Sequence, residues 1–411
     1  MKNKKYTQFS YEEKSYLWID IIFTVCLLFD FYLIYAYIQG KRIENIFYFI
    51  ILAVVMTAGI IVHLLRFSKR HKIERKIRFL ADTNNWIERD GEQITYSPNI
   101  RYKRTKEELM ISFEIDGSKK SQCYRDLRGV LQDGFNKACL SATEQNGVIT
   151  YRLVDDSFFD PLQIDEDTDY RQYCTEEQIQ LGKELVWKYR FAPHALITGA
   201  TGRGKTYVML YFVRCWDSIN ADIRIIDPKR SDLLKLGNAL GLQTACDPNR
   251  IAQLLRESEE MMNKRYDELK EIGMDYLTVG LKPCFILFDE CLAFFGGSAD
   301  DKVKKQVKNS LLEVVAKGRQ AGYFAILGTN RGDVQYLGGS GVIREQLGLK
   351  IILTSNNTSK TAMELTLGSD YKDLRPRFIG KGEGLIYIDG VTDIPRDFKA
   401  PRLKNPWVIK V

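Results

Sequence analysis

Gly199-Ala200-Thr201-Gly202-Arg203-Gly204-Lys205-Thr206 is the most informative stretch of this 411-residue chain. It matches the complete pattern G-x-x-x-x-G-K-T, whose glycines let backbone N–H groups wrap around phosphate groups. In that pattern Lys205 reaches the β- and γ-phosphates of a nucleoside triphosphate, and the Thr206 hydroxyl ligates Mg²⁺. We therefore expect residues 199–206 to bind ATP and Thr206 to be one ligand of Mg²⁺.

The residues on either side of this phosphate loop predict a strand before it and a helix after it. Residues 195–198 form a short apolar run, and residues 207–212 are compatible with a helix. The amino end of a helix adds a favourable dipole to the amides that surround a phosphate. A glycine-rich turn without function is the alternative, and this context disfavours it.

A second motif supplies the carboxylates that such a site needs. The apolar run Cys284-Phe285-Ile286-Leu287-Phe288 ends at Asp289 and Glu290. Asp289 would hold Mg²⁺ through water, and Glu290 would polarise the attacking water. An Asp-Glu pair after a strand is weak evidence by itself, but it is strong when a phosphate loop precedes it. We expect Lys205, Asp289 and Glu290 to be catalytic.

Two further predicted strands end in polar residues. One ends at Asp227 and Lys229, and the other ends at Thr329 and Asn330. The carboxyl ends of strands in an open α/β sheet converge on the ligand crevice. Thr329 and Asn330 are therefore candidate sensors of the γ-phosphate. Asp227 and Lys229 either orient groups around that phosphate or only form a turn.

Arg319 lies at the end of an amphipathic helix that precedes the strand leading to Thr329. From such a position an arginine can reach the nucleotide of a neighbouring subunit as a trans-acting finger. Arg331 and Arg344 are rivals for that role. An ordinary solvated helix end is the plain alternative.

From about Cys174 onward, short apolar runs alternate with amphipathic helices, of which Ile251–Ile272 is the clearest. The predicted strands are His194–Thr198, Ile223–Ile226, Phe285–Phe288, Tyr323–Leu327 and Lys350–Leu353. Alternation with continuous apolar strands predicts an α/β fold with a mostly parallel sheet covered on both faces. We assign residues 174–411 to this domain.

The region before it, residues 81–173, predicts a small α/β subdomain without a catalytic constellation. Its clearest elements are a strand at Leu109–Ile115, a helix whose apolar positions run from Leu127 to Ala138, and a strand at Val148–Val154. A basic, helical linker at residues 68–80 precedes the subdomain.

Two apolar stretches near the N-terminus, Leu17–Ile38 and Ile46–Phe67, predict a hairpin of two transmembrane helices at residues 17–67. Each has about 22 residues and would rise roughly 33 Å as a helix, enough to cross the hydrocarbon core. A signal peptide is the weaker alternative because a second span follows at once. Asp30, inside the first span, should face another helix or a water-filled space.

Basic residues on both sides of this hairpin predict its orientation. Lysines in residues 1–16 and a run of lysines and arginines after Phe67 outnumber the two basic residues between the spans. The positive-inside rule then places both termini, and the domain that follows, in the cytoplasm. We expect a multi-pass protein of the cell membrane, in contact with the lipid bilayer.

Composition adds little to these predictions. The chain has 60 basic and 53 acidic residues, a formal charge of +7, which permits an anionic partner without proving one. Eight cysteines are present without a C-x-x-C pair or a histidine at metal-ligand spacing. Buried free thiols in a reducing compartment fit this pattern better than a disulfide framework.

The set of motifs resembles the FtsK/SpoIIIE family of DNA-translocating ATPases over Gln178–Asp389, about half of the chain. The matching residues are Leu181-Gly182-Lys183, Pro193-His194, the phosphate loop, Ile226-Asp227-Pro228-Lys229, Arg265-Tyr266, Asp289-Glu290, Arg319-x-Ala321-Gly322 and Thr329. The resemblance implies a RecA-like P-loop motor domain, self-association into a ring, expected to be a hexamer, and DNA threaded through it. It also implies that Arg319 is the arginine of the family's Arg-Ala-Ala-Gly motif, although Gln320 replaces the first alanine.

Within this family, the predicted domain order resembles the TcpA-type coupling ATPases of Gram-positive conjugative elements. Chromosome translocases carry more spans, a long linker and a C-terminal winged-helix module, and we expect no such module after Asp389. The resemblance implies that DNA, of either strandedness, is brought with its relaxase to a membrane transfer channel. The alternatives are a protein-secretion motor, a chromosome- or plasmid-partitioning translocase, and a scaffold that only binds nucleotide.

Overall fold

The structure is a computed structural model in which the described residues are 7–9, 72–91, 93–333 and 341–405, with isolated positions between 25 and 61. The predicted membrane spans, including Asp30, lie outside the described residues apart from those isolated positions. Within the part of the chain that is described, no helix is both long and apolar enough to cross a membrane. The described part of the predicted linker, residues 72–80, is helical as expected.

The chain divides into two compact units. The first comprises Met1–Lys137 with Thr143–Leu153, and the second comprises Ala138–Ala142 with Val154–Val411. The domain boundaries at residues 81–173 and 174–411 remain predictions from the sequence.

The first unit is built on a five-stranded sheet with the order β1-β4-β5-β7-β6. Its core includes Phe113 on β5, whose ring centroid lies 5.2 Å from that of Trp86 and 5.4 Å from that of Tyr124. Its elements are β1 (Thr7–Gln8), α1 (72–83), β2 (Glu88–Asp90), β3 (Gln93–Tyr96), β4 (Ile100–Arg104), β5 (Glu108–Glu114) and α2 (Arg128–Phe135), with the last three residues of β6 (Ala138–Gln145) and all but the last residue of β7 (Val148–Val154).

Helix α2 is shorter than the apolar spacing predicted. The helix ends at Phe135 because Asn136 adopts the left-handed conformation, with a φ of +50°, and its N–H donates to the Asp133 carbonyl. Asparagine tolerates this conformation well, which makes it a frequent helix terminator. Ala138, predicted to belong to the helix, instead begins β6.

The second unit contains an eight-stranded sheet with the order β13-β12-β14-β15-β11-β16-β17-β18. Every neighbouring pair from β13 to β16 is parallel, and β17 and β18 extend the sheet as antiparallel strands. The eight strands are β11 (Ala195–Gly199), β12 (Asp222–Ile226), β13 (Gln243–Ala245), β14 (Cys284–Phe288), β15 (Tyr323–Thr329), β16 (Leu349–Leu353), β17 (Glu383–Ile388) and β18 (Arg396–Lys399). The predicted α/β fold with a mostly parallel sheet is confirmed.

Helices cover both faces of this sheet. Alternate residues of β14 divide between two hydrophobic clusters: Phe285 and Leu287 join one, while Ile286 and Phe288 join the other. This double burial explains why the strands read as continuous apolar runs. The helices are α3 (Lys205–Ser218), α4 (Asp232–Ala239), α5 (Pro248–Glu271), α6 (Cys291–Phe295), α7 (Asp301–Ala321), α8 (Gly341–Glu345) and α9 (Lys360–Leu367).

Short strands outside the main sheet complete the second unit. The antiparallel hairpin of β9 (Gln178–Gly182) and β10 (Leu185–Lys188) precedes β11, and β8 (Gln163–Ile164) pairs with β19 (Arg402–Leu403). Because β11, β12, β14 and β15 run parallel, their carboxyl ends lie at one edge of the main sheet. This shared edge positions the candidate site.

Candidate active site

The phosphate loop connects the end of β11 to the start of α3, as predicted. Gly204 is the N-cap of α3 and has a φ of +102°, a conformation that glycine adopts readily. Lys205 is buried, and its Nζ donates to the Gly199 carbonyl at 2.9 Å and to Asn330 Oδ1 at 2.7 Å. The loop thus folds around the ammonium group.

Several backbone amides of the loop are available to a ligand. The Arg203 N–H donates to the Ala200 carbonyl at 3.2 Å and closes a turn. Within the described residues, no protein acceptor takes the amide hydrogens of Gly202, Gly204, Lys205 and Thr206. The first amides of a helix have no partner inside the helix, and with the helix dipole they favour an anion. The loop therefore fits the phosphate groups of ATP.

The two predicted Mg²⁺ ligands are adjacent. The Thr206 hydroxyl donates to Asp289 Oδ2 at 3.3 Å, and Asp289 is 1% exposed at the end of β14. No group of three or more His, Cys, Asp or Glu side chains suited to a metal occurs in the described part of the chain. Mg²⁺ usually takes one or two protein oxygens and completes its shell with phosphate and water. The pair fits that requirement.

Burial, together with the negative charges of Glu290 and Asp227, raises the pKa of Asp289 to about 6, while the charge of Lys205 opposes this shift. Burial lowers the pKa of Lys205, and the charges of Glu290 and Asp289 oppose that shift. When burial and neighbouring negative charges destabilise the ionised form of a carboxylate, a nearby cation stabilises that form strongly. The electrostatics favour a metal ion beside Asp289.

Gly328 on β15 allows this arrangement. A Cβ at position 328 would lie 2.7 Å from Asp289 Oδ1 and 2.5 Å from Met209 Cε. Only a residue without a side chain lets β15 pass this close to the carboxylate. The sequence signal for this role is an isolated glycine inside a strand, which often marks a close backbone approach.

Glu290 is held between two lysines. Its Oε2 lies 3.0 Å from Lys229 Nζ, and its Oε1 lies 3.8 Å from Lys205 Nζ. The residue has a φ of +54°, which is uncommon for glutamate and typical of strained functional positions. The strand-end turn thus directs this carboxylate toward the phosphate loop.

Asp227 forms the turn that carries Lys229. Its Oδ1 accepts the Lys229 N–H at 3.1 Å, and its Oδ2 accepts both the N–H and the hydroxyl of Ser231 at 2.6 Å. The structure thus shows the turn at Asp227 and the pairing of Lys229 with Glu290. A role of either residue in orienting groups around the γ-phosphate stays a prediction.

Thr329 and Asn330 lie at the end of β15 beside the loop. Thr329 is fully buried, and its Oγ1 has no hydrogen-bond partner among the residues described. Asn330 accepts a hydrogen bond from Lys205, as given above. A cavity of about 430 Å³ opens here, lined by Thr198–Thr201, Arg203, Asn330, Arg331 and residues that follow β16.

Arg319 lies away from these residues. It is exposed in the last turn of α7, just before β15 begins at Tyr323. Six residues of extended chain separate Tyr323 from Thr329, a distance of about 20 Å, so Arg319 lies at the opposite edge of the sheet. Its neighbours around a cavity of about 380 Å³ include Arg190, Tyr266 and Lys317.

The rival arginines occupy other places. Arg331 pairs with Asp333, its Nε lying 3.0 Å from the carboxylate, and Arg344 belongs to α8. The structure thus brings Lys205, Thr206, Asp289, Glu290 and Thr329 together and separates Arg319 from them. The roles of Lys205, Asp289, Glu290, Thr329 and Arg319 in catalysis, and of Thr206 in binding nucleotide and Mg²⁺, remain predictions.

Sequence reasoning missed the segment that approaches the loop from the C-terminal part of the unit. The Gly382 N–H donates to the Arg203 carbonyl at 2.8 Å. The only local signal was the Gly380-Lys381-Gly382 sequence before β17. Nothing in the loop sequence indicates this partner.

Comparison with known proteins identifies relatives of the chain, although no family model matches it. The Ftsk domain-containing protein YdcQ of Bacillus subtilis (strain 168) is 31% identical over 376 residues, which cover 86% of this chain and 75% of YdcQ. The DNA translocase FtsK of Borreliella burgdorferi is 25% identical over 252 residues, which cover 56% of this chain and 30% of that protein. The chain therefore spans less than a third of that translocase.

A solved structure supports the same fold. The pCW3 conjugation coupling protein TcpA, in its monomer form with ATPγS, has a TM-score of 0.52 at 18% identity. The likeness covers 80% of this chain and 94% of that chain. At this identity it establishes the fold, and the predicted P-loop motor fold is confirmed.

Proposed function

The chain belongs to the FtsK-domain family and is an ATPase, and we propose that it uses ATP hydrolysis to move DNA through a ring of its own copies. The observation that carries this proposal is the convergence of Lys205, Thr206, Asp289 and Glu290 at the carboxyl ends of β11 and β14. Each of these groups has a part in phosphoryl transfer from a nucleoside triphosphate to water.

In the proposed reaction, the free amides of Gly202, Gly204, Lys205 and Thr206, together with the Lys205 ammonium group, bind the phosphates of ATP. Thr206 and Asp289 would hold Mg²⁺, and a bound Mg²⁺ would supply positive charge beside the phosphates. Glu290 orients the attacking water, and the Thr329 hydroxyl donates a hydrogen bond to the γ-phosphate. Such catalysis depends mainly on positioning and on charge stabilisation.

We propose that the moving substrate is DNA contacted through its phosphates. The relatives named as DNA translocases support this proposal, and the formal charge of +7 is compatible with it. Phosphate contacts release counterions, so the affinity for DNA should fall steeply with salt. A flat salt dependence would argue against DNA as the substrate.

We further propose that residues 17–67 anchor the chain in the cell membrane, with both termini in the cytoplasm. Isolated helical positions inside the predicted spans expose large apolar side chains: Val25 (59% exposed), Phe31 (68%), Val54 (62%) and Ile61 (52%). Lipid is a suitable environment for such exposed apolar surface.

The specific role that we propose is that of a coupling protein, delivering DNA with its relaxase to a conjugative transfer channel. The fold likeness to the conjugation coupling protein TcpA extends over nearly all of that chain, which supports this choice. The ring, expected to be a hexamer, belongs to the same proposal. A protein-secretion motor and a chromosome- or plasmid-partitioning translocase are the competing roles.

The test is the ATP turnover of the purified full chain without DNA, with single-stranded DNA and with double-stranded DNA. We expect one DNA form to stimulate turnover, and Lys205→Ala to abolish turnover while membrane insertion is retained. Turnover that neither DNA form changes would favour a secretion motor. A Lys205→Ala variant with the wild-type rate would refute the site itself, and absence of turnover in the native chain would favour the scaffold.

A further inference from the structure

The segment at residues 379–382 lies against the second half of the phosphate loop. In addition to the bond from Gly382, the Nη1 of Arg203 donates to the Ile379 carbonyl at 3.3 Å. A Cβ built on Gly204 would lie 3.4 Å from the nitrogen of Gly382. These contacts fix the segment beside the amino end of α3.

Two side chains meet at this junction. Tyr207 follows Thr206 in the first turn of α3, and Lys381 belongs to the segment. The Nζ of Lys381 lies 5.2 Å from the centroid of the Tyr207 ring. A cation over the face of an aromatic ring is attracted to it and helps to fix its position.

Tyr207 has no part in the hydrophobic core. It is 41% exposed, whereas the residues that follow it, Val208–Val213, are all buried. Because Lys381 covers one face of the ring and the residue is still partly exposed, ring surface remains for a flat ligand. Packing therefore does not explain an aromatic residue at this position.

The expected direction of a nucleotide along the phosphate loop gives a reason for the aromatic residue at position 207. Lys205 reaches the β- and γ-phosphates, and Thr206 faces the metal beside Asp289. We therefore expect the α-phosphate and the nucleoside to leave the loop past the next residue of α3, which is Tyr207.

We propose that Tyr207 and Lys381 form the nucleoside end of the ATP site. The Tyr207 ring stacks on the base, and the Lys381 ammonium pairs with the α-phosphate. An aromatic ring stacks on any base because every base has a π-face, and a lysine binds phosphate as a point charge. This inference rests on the nucleotide site proposed above and adds the residues that contact the base and the α-phosphate.

Two ligands separate the base from the phosphates: ATPγS, and inorganic tripolyphosphate, which has no nucleoside. Binding of each, with Mg²⁺, is measured by calorimetry on the purified full chain. The variants are Tyr207→Ala, Tyr207→Phe and Lys381→Met. Phe191→Ala is the matched control, because Phe191 is a 64% exposed aromatic residue before the amino end of β11.

We expect Tyr207→Ala to weaken ATPγS binding about tenfold, in line with the loss of one stacking contact, and to leave tripolyphosphate binding unchanged. Tyr207→Phe should restore ATPγS binding, since the ring is retained. Lys381→Met should weaken ATPγS binding because a charge is lost. The Phe191→Ala control should bind both ligands as the native chain does.

An equal loss of both ligands in Tyr207→Ala would overturn the proposal, because Tyr207 would then only support the loop. Unchanged ATPγS binding in Tyr207→Ala would overturn it as well. A native chain that binds neither ligand would remove the nucleotide site altogether. That outcome differs from failure of the nucleoside end alone, in which tripolyphosphate still binds.

Discussion

Replacing Thr329 with valine should raise the stability of the second unit and lower its ATPase activity. The Oγ1 of Thr329 is buried without a hydrogen-bond partner among the described residues. A buried hydroxyl without a partner costs about 1–3 kcal/mol of stability, and valine has nearly the same shape without the hydroxyl. The free energy of unfolding of Thr329→Val should therefore increase by about 1 kcal/mol.

The neighbouring strand offers a matched control. Thr198 on β11 is the register partner of Thr329 on β15 and is equally buried. Its Oγ1, however, lies 2.9 Å from the Oγ1 of Thr366 and donates to the Ile351 carbonyl at 3.4 Å. Thr198→Val loses these bonds and should therefore lower the free energy of unfolding by about 1 kcal/mol.

The assay compares thermal unfolding and steady-state ATP turnover of the full chain. A change of 1 kcal/mol shifts the Tm of a unit of this size by roughly 2–4 °C, so the two variants should move in opposite directions. If the Thr329 hydroxyl hydrogen-bonds the reacting phosphate, kcat of Thr329→Val should fall about a hundredfold, with little change in KM. A less stable Thr329→Val, or one with the native kcat, would refute this reasoning.

Three further predictions test separate features. Gly328→Ala places a methyl group against Asp289 and should destabilise the fold by about 1–3 kcal/mol and abolish turnover, measured by thermal unfolding and ATPase assays; native stability would show that β15 can move away. His194 is buried with its pKa lowered to about 4 by desolvation. On acidification the unfolded state therefore takes up a proton at a higher pH than the folded state, and the free energy of unfolding should fall by about 3 kcal/mol between pH 6.5 and 4, as followed by denaturant unfolding. If His194→Gln keeps the same pH dependence of this free energy, the assignment is contradicted. Arg319→Ala and Lys205→Ala should each be inactive, but mixed rings should recover part of the turnover if the arginine acts in trans; no recovery on mixing would argue for another finger.

Local sequence patterns predicted much of this site. A phosphate loop, an Asp-Glu pair after an apolar strand and a Thr-Asn pair after another all carry their signal within a few residues. Because parallel strands end at one edge, those separate signals implied a common place for Lys205, Asp289 and Thr329, and the structure brings them together. The residues of the candidate nucleotide site could therefore be predicted once the sequence had indicated a parallel α/β sheet.

The remaining features depend on contacts that no local pattern encodes. Gly382 is far from Arg203 in sequence, and the bond between them exists because β17 pairs with β16, which in turn pairs with β11, the strand that leads into the phosphate loop. The early end of α2 depends on one left-handed residue, Asn136, while the apolar spacing continued past it. The orphan hydroxyl of Thr329 is visible only when all neighbours of the strand end are in place.

The hydrogen bond from Lys205 to Asn330 links the phosphate loop to β15, the strand whose other end lies near Arg319. The Lys205 ammonium group has three hydrogens, of which two are donated to the Gly199 carbonyl and to Asn330 Oδ1. Charge-assisted bonds to phosphate are stronger than bonds to neutral oxygens, so a triphosphate competes directly for the hydrogen now held by Asn330. Asn330 comes directly after the last residue of β15. At the other end of the strand, its first residue lies just after the last turn of α7, which contains Arg319. Strand β15 therefore joins Asn330, which we expect to respond to the nucleotide of its own site, to Arg319, which we expect to serve the next one.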